Sequence, residues 1–159
     1  MEESVKVVGG SVNEQVLDRF PHRRGSTLMN HAANTCGIEE TLSVGAVYWP
    51  RLVEAGGCVF VAEFFTQSLD GLLDRFDGDR SAIERWVNAW SLQEFFLQSR
   101  TSAVDDGEVL QEFGRVLRFF WQQRLRFDYP ESTFVVEVDN GIEGENGLAI
   151  TFYQVRHQE

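Results

Sequence analysis

Cysteine is scarce in this chain: Cys36 and Cys58 are the only two among 159 residues. Two thiols cannot build the disulfide framework that staples small secreted domains. Basic residues are also in deficit, with 14 Lys and Arg against 25 Asp and Glu and a net charge of -11. Such a domain lacks the cationic field from which phosphate-backbone binding draws most of its affinity. Nucleic acid is therefore not an expected partner, and neither is an anionic membrane surface. Long hydrophobic runs are missing too. No apolar stretch approaches the roughly 20 residues that span a bilayer. The opening MEESVKVVGG has no basic region followed by an apolar one, so no signal peptide is expected. Prolines are few, and Pro21, Pro50 and Pro130 each punctuate the end of an element. Repeats, low-complexity tracts and long linkers are absent. These absences together predict a soluble cytoplasmic protein with reduced thiols.

What is present is enough apolar material for a core. With 43% hydrophobic and 13% aromatic residues, residues 1–159 are expected to form one globular domain. A domain of this size buries about 70% of the surface its unfolded chain exposes.

Val12, Val16 and Phe20 recur at helical spacing before Pro21, and a second short helix is expected to start after Ser26 as N-cap. A third spans Ile38 to Trp49, with Glu39 and Glu40 at its positive end and Pro50 closing it. Two β-rich runs flank Gly56-Gly57, which signals a hairpin. The second run, Cys58 to Phe65, is apolar on both faces and reads as a central strand covered on both sides. Leu69 to Phe76 reads as a helix. Ser81 and Glu84 have capping-box spacing for the next one, which places Ile83, Trp86, Val87, Trp90 and Leu97 near one face. Glu108 to Phe127 carries a further apolar stripe. STFVVEVD and GLAITFYQVR alternate in strand fashion, joined by the acidic, glycine-rich NGIEGENG, expected to be a mobile tip. The predicted fold class is α+β: an antiparallel sheet of about four strands, in two hairpins, packed against several amphipathic helices.

Candidate chemistry concentrates in HRRGSTLMNHAANTC, residues 22–36. Arg23, Arg24, Ser26 and Thr27 are the parts of an anion site. Guanidinium groups bind oxyanions through paired hydrogen bonds, and a helix N-terminus presents free N–H groups. The same residues fit an internal salt bridge, because paired cations at a helix start need an anion from somewhere. Ser26 also sits in a short basophilic-kinase pattern. Cys36 with His22 or His31 suggests a nucleophile and its base, since a thiolate at a helix start has a lowered pKa. His22, His31, Cys36 and Cys58 include zinc-ligating types, but their spacings lack the close pairs of zinc sites. DRFDGDRSAIE resembles a calcium loop only until Leu73 and Arg75 fall where ligands are needed. Glu63 lies among apolar neighbours, where a carboxyl with raised pKa could act as acid or base; the plainer expectation is a strand end or an arginine partner. Arg115, Arg118, Gln122 and Arg126 form a basic stripe that reads as a solvated face balanced by carboxylates.

No Walker A, Rossmann, G-x-S-x-G or zincin pattern accompanies these residues. The sequence thus implies no cofactor and no metal, and it leans away from an enzyme. The leading expectation is a non-catalytic protein-binding module, regulatory or of immunity type, whose acidity suits a cationic partner; a separate, third possibility is self-association as a homo-oligomer whose exposed aromatics form an interface. The alternative is a small enzyme or an anion- or ligand-binding domain with its site around residues 22–36.

Overall fold

The computed structural model describes residues 4–99 and 101–157. The first three residues of the stretch inspected for a signal peptide thus lie outside the described residues. Over the described residues the chain is α+β, with two antiparallel sheets, one of two strands and one of three. Among the described residues no helix is long and apolar enough to cross a membrane.

A 3-10 helix over Glu14–Arg19 precedes α1 (Leu28–Thr35) and α2 (Ile38–Tyr48). The hairpin β1 (Leu52–Ala55) and β2 (Cys58–Val61) turns at Gly56 and Gly57, whose φ of 57° and 80° meet the double left-handed requirement of a type I′ turn. Then come α3 (Leu69–Arg75), α4 (Arg80–Val87), the two-residue strand β3 (Trp90–Ser91), α5 (Leu92–Phe95) and the long α6 (Gly107–Asp128). The strands β4 (Phe134–Asn140) and β5 (Leu148–Gln154) complete the second sheet in the order β3-β5-β4.

Strand β2 is buried along its whole length and separates two cores. Val59 and Val61 face Leu117, Trp121 and Leu125 of α6 and Val136, Ile150 and Phe152 of the second sheet. Cys58 and Phe60 point the other way, onto Leu72 of α3 and Ile83 and Val87 of α4. The two-sided burial read from the sequence is therefore present, but the strand ends at Val61 rather than Phe65. The Phe64 N–H donates back to the Val61 carbonyl, and the turn folds Phe65 under Phe60 in a stacked pair with centroids 4.6 Å apart. The rings gain more by packing on the strand than by extending it.

Among the described residues the second edge of β2 has no strand beside it. Side chains of α4 take that place. Glu84 accepts hydrogen bonds from the Val59 N–H at 2.8 Å and the Gln154 N–H at 2.7 Å, and Arg156 closes on it at 2.9 Å. One turn on, Asn88 accepts from the Val61 N–H and donates to the carbonyls of Val59 and Phe152. Both side chains are fully buried. A helix thus supplies the hydrogen bonds that join the two sheets, as buried polar groups must be paired to be tolerated.

The expected Ser81–Glu84 capping box does not form. Asp79 is the N-cap, accepting from the Ala82 N–H at 3.0 Å, so Ser81 and Glu84 lie inside the helix and reach across to β5 and Arg156 instead. Nor does one helix run from Ile83 to Leu97. It stops at Asn88, whose amide is committed to the strands, and Trp90 and Ser91 pair with Ile150 and Ala149. Ser91 then caps α5 by accepting from the Glu94 N–H. The NGIEGENG link is not a free tip either: it forms a 3-10 turn with Ile142 buried and Glu143 paired to Arg85.

Candidate functional site

The site is built by the strapping of the N-terminal segment onto α6. Asn13 caps the 3-10 helix, and its own N–H donates to Glu112 at 2.9 Å. Arg115 holds the same carboxylate and the Ser11 carbonyl, while Arg19 pairs with Asp106 at 2.9 Å and Glu108 at 3.0 Å. Bonding to Arg115 and the Asn13 N–H holds the Glu112 carboxyl below its ordinary pKa. These ties bring Val16 and Phe20 over the first half of α6.

Beyond Pro21 the loop is braced internally. Arg23 pairs with Asp18 and donates to the Gly25 carbonyl; Gly25 takes a φ of 88°, where a side chain is unfavourable. Thr27, rather than Ser26, caps α1 by accepting from the Asn30 N–H, and Ser26 donates to the Asn30 side chain. The Leu28 N–H, one of the free donors of the first turn, donates to Glu14 at 2.9 Å. Arg23 and Ser26 therefore meet side chains, and Thr27 a backbone N–H, of their own chain, and the carboxylate at the helix start is Glu14. Arg24 is exposed and forms no ion pair among the described residues.

The Arg24 backbone N–H donates to His31 Nδ1 at 3.0 Å. A neutral ring accepting at Nδ1 carries its proton on Nε2. The ring packs on Phe20 with centroids 5.1 Å apart. Between the 3-10 helix, α1, the segment after α5 and α6 lies a cavity of about 550 Å³. Its walls are largely Val16, Phe20, Tyr48, Phe96, Phe113 and Val116, and its polar members include His22, His31, Cys36 and Glu112. Burial pushes the Tyr48 phenol above its ordinary pKa, so it stays neutral.

The fold thus gathers His22, His31 and Cys36 around one cavity and leaves Arg23, Arg24, Ser26 and Thr27 off its lining. The Cys36 thiol is exposed, and its hydrogen-bond contact is Thr35 Oγ1 at 3.8 Å, with neither histidine bonded to it. Cys58 is in the core under α4, remote in structure from Cys36. Among the described residues no group of three or more His, Cys, Asp or Glu side chains is arranged to hold a metal ion. Glu63 lies just past β2 and pairs with Arg51 at 2.9 Å, which holds its carboxyl below its ordinary pKa rather than above it. It does not line the cavity. On α6, Arg115 pairs with Glu112 and Arg124 with Asp128, and the Arg124 guanidinium also lies over the Trp49 ring.

Sequence reading missed the walls. Phe96 and Phe113, in contact at 5.2 Å, were legible only as core residues, because no local pattern says that two stripes leave a gap between them. Comparison with family models, curated proteins and solved structures finds no match to this chain.

Proposed function

We propose that this chain is a non-catalytic protein-binding module, of regulatory or immunity type, that engages a cationic protein through α2. The observation that carries the reading is the exposure of an apolar helix. Every residue from Ile38 to Ala46 is exposed, Ile38 at 76% and Leu42 at 72%, and only Val47 and Tyr48 reach the body of the protein. Ile38 and Leu42 are one turn apart on one face, the spacing of anchors for a helix-in-groove contact. Glu39 and Glu40 flank them and form no ion pair among the described residues.

Two copies packed through this face would set like charges together on chains of net charge -11. A basic partner gains from the same charges through faster association. The test uses the intact chain as bait against extract of its source, beside Leu42→Asp. Capture of a basic protein by wild type, weakened at least 30-fold by Leu42→Asp and steeply by salt, supports the reading. Equal capture by both proteins, or a concentration-dependent dimer by light scattering that Leu42→Asp abolishes, overturns it. A second reading, a small ligand-binding domain, is favoured by the cavity.

A further inference from the structure

We propose that the cavity between the 3-10 helix, α1 and α6 binds a small, uncharged, apolar molecule that carries a hydrogen-bond acceptor, oriented by His31. This site is separate from the exposed face of α2.

Volume comes first. At about 550 Å³ the cavity lies within the size range of small-molecule sites. Its walls of Val16, Phe20, Tyr48, Phe113 and Val116 give water few partners. Ordered water needs 2–4 polar partners, so an apolar occupant displaces solvent that is poorly held.

Orientation follows from His31. Its Nδ1 is committed to the Arg24 N–H at 3.0 Å and its ring rests on Phe20. The nitrogen left to the ring is Nε2, which in this tautomer is a donor. An occupant therefore gains by offering a hydroxyl, ether or carbonyl oxygen.

Charge then selects among such molecules. Among the described residues no Arg or Lys lines the cavity, whereas Glu112 does. An anionic head group would be desolvated on the side where Glu112 already stands. An ammonium fares little better, because Glu112 is already matched by Arg115 and the Asn13 N–H. The neutral molecule is the one that pays neither penalty.

The test titrates the full chain at neutral pH with Nile red and displaces the dye with 1-decanol below its solubility limit, or with decanoate or decylamine below their micellar concentrations. These three share a chain and differ in head-group charge. Expected is saturable displacement, with decanol at least tenfold more effective than either ion. His31→Phe keeps the ring and removes the donor, and should weaken decanol about tenfold. Ala103→Trp, filling the space from a residue on the wall, should abolish both dye and decanol binding. Should that variant misfold by circular dichroism, Val109→Trp serves instead. Leu42→Asp should leave decanol binding unchanged, which separates this site from α2. Absence of saturable binding, decanoate equal to decanol, or decanol binding lost in Leu42→Asp but retained in the filled variant would overturn the proposal.

Discussion

Replacing Glu84 by alanine removes the side chain on which β2, β5 and Arg156 converge. The Val59 and Gln154 amides lose acceptors at 2.8 and 2.7 Å, in a position where the residue itself is 0% exposed. Each buried amide left without a partner costs about 1–3 kcal/mol. Arg156 loses its carboxylate at 2.9 Å, but its side chain is 29% exposed and can turn to water, so its share is smaller. The expected loss is about 3–5 kcal/mol, the range for breaking a buried pair from one side. Against a typical domain stability of about 5–15 kcal/mol that is a large fraction. The midpoint of thermal unfolding should fall by roughly 10 °C. Glu84→Gln keeps the volume and one acceptor oxygen, and should lose about half as much. Arg156→Met, which leaves the bonds to Val59 and Gln154 in place, should also cost less than Glu84→Ala. Urea titration followed by circular dichroism measures all three. A Glu84→Ala protein within about 1 kcal/mol of wild type would refute the claim that α4 joins the sheets through this carboxylate.

Three further outcomes are expected. At Gly114 a Cβ would lie 2.9 Å from Val138 Cγ1 and 3.2 Å from Leu92 Cδ1; Gly114→Leu should lower stability by about 1–3 kcal/mol, and clearly more than Gly114→Ala, in urea titration. Glu112 is held below its ordinary pKa by Arg115 and the Asn13 N–H, so its contribution is present above the ordinary carboxylate range and lost as pH falls through the depressed folded value. The stability difference between wild type and Glu112→Gln, measured by urea titration from pH 7 downward, should therefore shrink toward zero in acid; a difference that grows would reverse the sign of the argument. Cys36 is exposed, whereas Cys58 is buried with its thiol pushed up chiefly by burial. Ellman's reagent should label one thiol in the native protein and the second only at the rate of unfolding.

How far the fold was legible depends on whether local chemistry or remote demand decided each element. Gly56-Gly57, Pro50 and the stripe of α6 act locally, and the hairpin turn, the end of α2 and the long helix lie within a residue or two of their expected places. The region from Ser81 to Leu97 is the opposite case. Ser81, Glu84, Asn88 and Ser91 have letters that suit caps and helix interiors, but their side chains answer groups on β2, β5 and the 140s link. A helix read from periodicity runs straight through them, because the unpaired strand edge that recruits them is 25 or more residues away in sequence. The same remote demand hid β3, which exists because β5 has room for a two-residue partner.

The stretch from His22 to Cys36 divides along the same line. Arg23, the hydroxyls and the helix start are served by Asp18, Asn30 and Glu14, all near in sequence. The gathering of His22, His31 and Cys36 has a different origin. It requires Phe20 to be held by the Glu112 and Arg19 ties, and α6 and the segment after α5 to supply the far wall. Charged residues thus act in this protein as fasteners that shape an apolar space. A site read only from reactive letters points at the fasteners; the cavity they hold open is defined by Phe20, Phe96, Phe113 and Val116, residues whose individual chemistry says nothing beyond the core.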